Sequence, residues 1–236
     1  MIKASLFFCA IFVLVQYGNS SPDEFGSFWG PCPAKPSVNI SSSVSYKQIT
    51  GKWYIHQVLG QYSPWKAFEC QNNNVLYKRK EKTANVTSRF VVPGVELPVE
   101  WNGTLSAVNS SIGKFEAYYI TNDGWLFLEN SQILQYYRKG AALAWTCLEF
   151  GFFHIESISV MTKYQDPNDT RIPPFIYTNM YDSLQKAGVS PTWFELIPQD
   201  NCDNRSFSVF QAVSVAKNLQ SFVPAKYLKK LNAIFA

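Results

Sequence analysis

The sequence has few of the residues on which most enzymes depend. His56 and His154 are its only histidines, so a general base that titrates near neutral pH has few candidates. No Gly-x-Ser-x-Gly stretch places a serine nucleophile, and no paired His-Glu motif of the kind that binds zinc is present. These absences argue against a serine hydrolase and against a histidine-bound metal centre. We therefore expect a protein that is not an enzyme and that holds no metal ion or cofactor.

Long apolar segments are also scarce. One run, over residues 4–15, covers about a dozen residues, follows Lys3 and precedes the small residues 18–20. That is the pattern of a secretory signal peptide with cleavage after Ser20. A membrane-spanning helix needs about 20 apolar residues, and no later run reaches that length. We predict that residues 1–20 are removed and that the remaining chain is secreted and extracellular.

Charge of one sign is only in small excess. The chain has 21 Lys and Arg against 17 Asp and Glu, a formal net charge of +4, and loss of Lys3 with the leader lowers this by one, to +3. Since no stripe of basic residues accompanies it, we expect no nucleic-acid partner. Aromatic residues make up 16% of the chain, and such residues favour strands and line apolar pockets.

Four cysteines remain when Cys9 is removed with the leader: Cys32, Cys70, Cys147 and Cys202. An even number of cysteines in a secreted protein indicates disulfides, and four cysteines allow three connectivities. The residues alone do not choose among these three.

The chain is also rich in potential glycosylation sites, which fit a secretory route and a well-solvated surface. Several of these sites are expected to carry glycans. The Asn-x-Ser/Thr sequons stand at Asn39, Asn85, Asn102, Asn109, Asn168 and Asn204.

Short apolar-alternating segments, separated by turn residues, dominate the middle of the chain. One helix is predicted after them, over residues 175–187, opened by Pro173-Pro174 and capped by Gly188. This order favours an all-β fold, an eight-stranded antiparallel up-and-down barrel with one C-terminal helix packed outside, because closure removes the edges of the sheet. The predicted strands cover residues 52–59, 75–82, 85–92, 100–108, 114–121, 125–129, 132–138, 141–149 and 155–163.

Two short motifs carry a resemblance to a known family. Residues 51–54 read Gly-Lys-Trp-Tyr, begin the first predicted strand and follow the cysteine-bearing arm. Residues 159–163 read Ser-Val-Met-Thr-Lys and end the last predicted strand. Together they resemble the first and last conserved motifs of the lipocalins, with Lys163 where the family normally has arginine. The resemblance implies that Gly51 bends the entering chain, that Trp53 plugs the closed end of the barrel, and that Lys163 makes a cation–π contact with Trp53.

Further segments are similar to one branch of that family, the insect bilin-binding and apolipoprotein D-like group. They are the cysteine-ended strand 141–147 and the polar segment 199–202, whereas the family's middle motif is poorly kept at residues 136–140. The similarity covers about residues 30–205. It implies the disulfides Cys32–Cys147 and Cys70–Cys202, which would leave no free cysteine of the kind that prostaglandin-isomerising lipocalins use.

The resemblance divides the chain into a signal peptide (1–20), a barrel domain with its N-terminal arm and helix (21–206) and a C-terminal extension (207–236). Within that extension, residues 224–235 place apolar side chains near one helical face, with three lysines elsewhere. This segment either packs on the protein, stays loose, or makes peripheral contact with a membrane as an amphipathic helix.

The function that the resemblance implies is transport of a small hydrophobic ligand, such as a lipid, sterol, retinoid or tetrapyrrole, in the barrel cavity. The alternative is a protein-binding lipocalin with a filled barrel, which acts through its loops on a receptor, a protease or a clotting factor. If Cys147 points outward, Trp145 does too, and Ala142, Ala144 and Thr146 point inward. The candidate ligand-binding residues are Ile55, Gln57, Phe90, Trp101, Tyr118, Tyr136 and Ala144.

Overall fold

The protein is described by a computed structural model. It describes residues 27–34, 36, 38–60, 68–92, 97–120, 126–149, 153–200 and 202. The predicted signal peptide, the C-terminal extension and the sequon at Asn204 lie outside the described residues. Within this part of the chain, no helix is both long enough and apolar enough to cross a membrane.

Ten strands form one antiparallel sheet, and two helices flank it. The helices are α1 (Tyr46–Ile49) and α2 (Pro174–Lys186). The strands are β1 (Ser27–Trp29), β2 (Gly51–Leu59), β3 (Glu69–Lys78), β4 (Thr83–Val92), β5 (Leu97–Asn109), β6 (Lys114–Ile120), β7 (Leu126–Tyr137), β8 (Ala141–Glu149), β9 (Phe153–Thr162) and β10 (Glu195–Leu196).

Strands β2 to β9 each pair with the next strand along the chain, and β9 pairs back onto β2. This closes an eight-stranded up-and-down barrel and confirms the predicted fold. β1 pairs with the beginning of β9, at residues 153–155, and β10 pairs with β2 at residues 57–58. α2 covers one outer face of the barrel, so the predicted external helix is also confirmed.

The outer face beneath α2 is apolar because the helix and β8 present matching stripes. Ile176, Met180 and Leu184, spaced four residues apart, are the buried residues of α2. They belong to one cluster with Leu143 and Trp145 of β8. The outward position of Trp145 agrees with the sequence argument, as does the inward position of the residues that alternate with it.

The closed end of the barrel is built by α1 and the start of β2. Trp53 is 2% exposed, and its indole Nε1 donates to the carbonyl oxygen of Ile49 at 2.7 Å. Gly51 has φ of +107°, a conformation that glycine adopts without the steric cost of a side chain. The tight entry into the barrel that the motif predicts is therefore present.

Five elements differ from the sequence prediction. The two strands predicted at 125–129 and 132–138 are one strand, β7, which continues through an irregularity between Ile133 and Gln135. β3 covers Glu69–Lys78 instead of residues 75–82: its polar start (Gln71 and three asparagines) pairs in the sheet despite a low strand propensity, and residues 79–82 form a turn. β1, α1 and β10 were missed, since each is too short to show a period in the sequence.

The barrel wall parts above the middle of β2, where the pairing with β3 ends at Tyr54. The segment 195–199 fills this gap: the amide of Ile197 donates to the carbonyl of His56 at 2.8 Å, and the amide of Cys70 donates to the carbonyl of Pro198 at 2.8 Å. The Gln199 side-chain amide then donates to a carbonyl on each strand. The segment therefore bridges β2 and β3 by hydrogen bonds where the two strands no longer pair.

Candidate functional site

The lower half of the barrel is filled by its own side chains. Tyr136 lies there, with its ring centroid 6.3 Å from that of Trp53 and its hydroxyl donating to the Gln48 carbonyl. Ala144 belongs to the same packed cluster. The other buried members include Val75, Val86, Leu105, Phe115, Ala117 and Ile133.

Above this packed layer the barrel contains a partly open cavity of about 60 Å³. Ligand pockets for drug-sized molecules usually measure about 300–1,000 Å³, so the cavity is small. Its lining is unusually polar for the inside of a barrel, with several amide, hydroxyl and charged side chains. The described residues that line it are Ile55, Gln71, Asn72, Asn73, Ser88, Arg89, Phe90, Trp101, Glu129, Thr146, Ser157 and Ser159.

One side of the cavity is a continuous series of aromatic rings. The Phe68 and Phe90 rings stack with centroids 4.5 Å apart, and Phe90 meets Trp101 edge-on at 4.9 Å. Trp101 in turn lies 6.4 Å from Tyr119, which is 1% exposed. Such edge-to-face contacts fix ring orientation and add stability beyond the area that they bury. The wall therefore offers a preformed apolar surface to anything bound beside it.

The cavity lining also contains a carboxyl group, that of Glu129. Burial raises its pKa from the ordinary value of 4.5 to about 7, and a hydrogen bond from the Tyr119 hydroxyl partly offsets that effect. Burial raises the pKa of Tyr119 itself well above 10, and the negative charge of Glu129 adds to this. Ser88 lies 3.1 Å from the Tyr119 hydroxyl. Since Tyr119 donates to Glu129, Ser88 donates to Tyr119, and the three groups form a directed chain of hydrogen bonds.

Two amide side chains of β3 complete the polar lining. Gln71 and Asn72 are each 4% exposed. The Asn72 Nδ2 donates to the Cys70 carbonyl at 3.0 Å, while its Oδ1 is buried without a hydrogen-bond partner among the described residues. A buried acceptor without a partner costs about 1–3 kcal/mol, and such groups in native proteins call for an explanation.

Five of the seven candidate ligand-binding residues face the barrel interior. Ile55, Phe90 and Trp101 line the cavity, and Tyr136 and Ala144 lie in the packed layer below it. The sequence therefore identified part of the cavity wall, although it did not separate the open layer from the filled one.

The inward placement of the other two, Gln57 and Tyr118, is wrong. A bulge at His56 shifts the register of β2, so Gln57 faces outward and accepts a hydrogen bond from Tyr181 of α2 at 2.5 Å. On β6, the inward residue is Tyr119, and Tyr118 donates to Glu116 on the outer face. A shift of one residue exchanges the two faces of a strand.

Glu129, Asn72 and Tyr119 were missed as site residues. Glu129 ends a predicted apolar strand, so a single carboxylate in an otherwise apolar segment was the available signal. Asn72 stood in a segment for which no strand was predicted, and on β6 the predicted residue was Tyr118, the neighbour of Tyr119. Nothing in the sequence indicates that these three side chains meet.

The two histidines lie outside the set of described cavity-lining residues. The His56 Nε2 contacts Thr162 Oγ1 at 3.0 Å and the Tyr164 carbonyl at 2.9 Å, and burial lowers the pKa of His56. For His154, burial lowers the pKa, but hydrogen bonds to Glu156 and to the Gly30 carbonyl outweigh it and the net pKa is raised. Both side chains therefore have structural partners, and no group of three metal-ligating side chains occurs among the described residues.

The cysteines pair as Cys32–Cys147 and Cys70–Cys202, the connectivity that the family resemblance implies. The first bridge ties the N-terminal arm to β8. The second ties the segment after β10 to β3, beside the parted wall. The sequon asparagines in the described residues are all exposed: Asn39, Asn85, Asn102, Asn109 and Asn168.

Comparison with known proteins identifies the fold. No protein-family model matches the sequence, and no curated protein is significantly similar to it. In structure, the chain resembles apocrustacyanin C1, at 14% identity over 79% of this chain and 98% of that chain, with a TM-score of 0.53. It also resembles insecticyanin from the tobacco hornworm Manduca sexta, at 14% identity over 73% of this chain and 89% of that chain, with a TM-score of 0.55.

A third similar structure is H1 crustacyanin from the lobster Homarus americanus, at 14% identity over 79% of this chain and 98% of that chain, with a TM-score of 0.50. These proteins have the lipocalin fold. At such low identity the likeness establishes that this chain shares that fold, including the closed barrel and its external helix.

Proposed function

We propose that this protein is a secreted carrier that binds one small ligand in the upper half of its barrel. The cavity between the aromatic wall and Glu129 is the observation that supports the proposal, because the lower half of the barrel is packed. An eight-stranded barrel has the interior size to hold one small ligand. Phe90, Trp101 and Ile55 would contact the ligand. Transfer of its apolar surface from water would stabilise the complex by about 25 cal/mol per Å².

The size and lining of the cavity restrict the kind of ligand. A volume of about 60 Å³ does not enclose a whole retinoid, sterol or tetrapyrrole. The proposed ligand therefore places one polar group among the side chains around Glu129. Its apolar remainder lies against Phe90 and Trp101, towards the end of the barrel opposite Trp53.

Secretion and glycosylation belong to the same proposal. Two disulfides form in oxidising compartments such as the secretory pathway. Exposed sequon asparagines, such as Asn85 and Asn102, are accessible to glycan transfer. The disulfide connectivity is the one expected for apolipoprotein D-like lipocalins, which supports the proposal that the protein belongs to that group. Residues 1–20 would serve as its signal peptide, residues 21–206 as the barrel domain and residues 207–236 as an extension.

A second candidate function is protein binding through the loops, with a barrel that carries no cargo. The small volume of the cavity favours this alternative, because a barrel filled by its own side chains needs no ligand for stability. The partner in that case would be a receptor, a protease or a clotting factor.

One experiment separates the two functions. The full-length protein is secreted from eukaryotic cells, purified under native conditions and extracted with organic solvent, and the extract is analysed by mass spectrometry. A stoichiometric small molecule is expected, together with quenching of tryptophan fluorescence when the ligand is added back. The variant Phe90→Ala should bind the same ligand more weakly, while Phe175→Ala, on the exposed face of α2, should bind it normally.

A clean extract, together with unchanged tryptophan fluorescence on addition of fatty acids, sterols and biliverdin, would contradict the carrier function. The protein-binding alternative would then be tested by the effect of the delipidated protein on protease activity and clotting time.

A further inference from the structure

Two hydrogen-bond acceptors stand out in the cavity lining, the Glu129 carboxyl and the buried Oδ1 of Asn72. Neighbouring polar groups make hydrogen bonds within the protein: Asn72 Nδ2 donates to the Cys70 carbonyl, and Gln71 Nε2 donates to the Phe68 carbonyl at 3.1 Å. The hydroxyls of Thr146 and Ser157 lie 2.8 Å apart and bind each other. A ligand that pairs with both Glu129 and Asn72 Oδ1 has to donate hydrogen bonds.

The charge of the cavity points the same way. Arg89 also lines it, but the guanidinium Nε of Arg89 binds Glu100 at 2.7 Å, so its charge is already matched. The Glu129 carboxyl receives a hydrogen bond from Tyr119, which is neutral. When ionised, Glu129 therefore contributes a negative charge that a bound cation would neutralise, and an anionic ligand would be repelled.

The aromatic wall suits a cation as well. Phe90 and Trp101 meet at 4.9 Å beside the polar lining, and the faces of such rings attract ammonium groups. The cavity of about 60 Å³ has room for an ammonium group and the carbon that carries it, not for a large head group. A metal ion is not indicated, since no cluster of three metal-ligating side chains occurs among the described residues.

Building on the proposed carrier function, we propose that Glu129 and Asn72 bind the protonated amino group of a small amine whose apolar body lies against Phe90 and Trp101. The ammonium group donates one hydrogen bond to the Glu129 carboxylate and one to Asn72 Oδ1. The buried acceptor of Asn72 and the buried charge of Glu129 then gain partners in one step. No proton is transferred, because the amine enters already protonated and Glu129 enters ionised.

The test compares three probes that share one phenyl body and differ in the polar group. Phenethylamine is cationic, phenethyl alcohol is neutral and hydrocinnamate is anionic at about pH 8. Binding is measured by isothermal titration calorimetry on the full-length secreted protein after removal of any co-purified ligand. The amine is expected to bind at least about tenfold more tightly than the alcohol, which corresponds to about 1.4 kcal/mol, and the anion is expected to bind weakest.

Two variants assign the preference to the cavity. Glu129→Gln keeps the size of the side chain and removes the charge, so the amine should lose its advantage over the alcohol. Glu116→Gln removes the same charge from the outer face of β6 and should leave all three affinities unchanged. Circular dichroism and thermal unfolding confirm that each variant is folded. Asn72→Ala is a second test variant, in which the advantage of the amine over the alcohol should also decrease.

The dependence on pH gives an independent readout. Among the described residues, the groups that face Glu129 from neighbouring strands are Tyr119 on β6, whose pKa burial raises well above 10, and Arg89 on β4, which is paired with Glu100. Glu129 has a pKa of about 7, so its carboxyl group changes protonation between about pH 5 and pH 8. Amine affinity should fall by more than about tenfold from pH 8 to pH 5.5, because protonation removes the carboxylate. The alcohol affinity should change little.

The outcomes distinguish this proposal from the carrier function. Tighter binding of the alcohol or the anion, or an amine preference that survives in Glu129→Gln, overturns the amine site while a carrier of other ligands stands. If none of the three probes binds and no ligand co-purifies, both proposals fail. An amine preference that Glu129→Gln abolishes and Glu116→Gln retains supports both.

Discussion

Lys163 lies over the indole ring of Trp53, with its Nζ 5.2 Å from the ring centroid and donating to the Thr50 carbonyl at 3.0 Å. The contact joins the end of β9 to the start of β2, where the barrel closes. The lipocalins that the sequence resembles normally have arginine at the corresponding position, and here lysine makes both the cation–π contact and a hydrogen bond to the backbone. A Cβ atom at Gly140 would lie 3.3 Å from the Lys163 Cβ, so glycine at this position leaves room for the lysine side chain.

Removal of the charge at this position should weaken the closed end of the barrel. We expect Lys163→Met to lower the free energy of unfolding by about 1 kcal/mol, since it removes both the cation–π contact and the bond to Thr50. Lys163→Arg should preserve most of the stability. Urea unfolding, followed by tryptophan fluorescence, measures the free energy of unfolding of each variant. Lys80→Met, in the exposed turn between β3 and β4, is the control and should have no comparable effect. Equal losses in the two Met variants would contradict the assigned role of Lys163.

The two disulfides should contribute similarly to the free energy of unfolding but should hold different parts of the structure in place. Their loops span 115 residues for Cys32–Cys147 and 132 residues for Cys70–Cys202. In the chain-entropy model each bridge contributes about 5 kcal/mol. Replacing Cys70 and Cys202 by alanine should also free the segment 195–199 from the parted wall.

Hydrogen exchange tests that difference. The amides of Ile197 and Cys70 should exchange faster in the Cys70→Ala/Cys202→Ala variant. In the Cys32→Ala/Cys147→Ala variant, the amides of Ile197 and Cys70 should exchange no faster than the lower global stability of that variant requires. Equal deprotection of the segment in both variants would mean that the bridge to Cys202 does not hold it.

The buried carboxyl of Glu129 should make the protein less stable as the pH rises. Its pKa in the folded protein, about 7, lies above the ordinary value of 4.5, so its contribution is greatest below pH 4.5 and is lost as the pH rises through 7. The full difference corresponds to at most about 3 kcal/mol, reduced to the extent that water enters the cavity beside Glu129.

Comparison with Glu129→Gln isolates this effect from the other titrating groups. The stability of the native protein relative to the variant should fall between about pH 4.5 and pH 7 and then level off, as measured by urea unfolding at each pH. Glu116→Gln, which removes a carboxyl from the outer face, should show no such trend. A constant difference across this range would contradict the raised pKa of Glu129.

The outward position of Gln57 predicts a separation of stability from ligand binding. Gln57→Ala should lower the free energy of unfolding by about 1 kcal/mol, because it removes the hydrogen bond from Tyr181 that holds α2 to the barrel. Tyr181→Phe should have the same effect, and the double variant should lose no more than either single one. Small-molecule affinity, measured by fluorescence titration, should stay unchanged in these variants and fall in Phe90→Ala. Weaker ligand binding in Gln57→Ala would place this side chain inside the barrel.

The sequence by itself determined the features that depend on local pattern. Alternating segments, turn residues and one helix after the strands predicted a closed barrel, because these signals act over a few residues at a time. The resemblance of the motifs at Trp53 and Lys163 to those of the lipocalins implied the closed end. The position of Trp145 on the outer face followed from that of Cys147, since the two are two residues apart on one strand.

Only the tertiary structure decided which side chains form the cavity. The bulge at His56 turned Gln57 outward, and the register of β6 put Tyr119 rather than Tyr118 inside. Asn72 and Glu129 face the same small cavity although they are far apart in the chain. Strand register and bulges arise from hydrogen bonds between distant segments, and a shift of one residue exchanges the inner and outer faces of a strand. Local sequence therefore predicts that a barrel forms, whereas the polar character of its cavity, with Glu129 and Asn72 in the lining, depends on how the strands are paired.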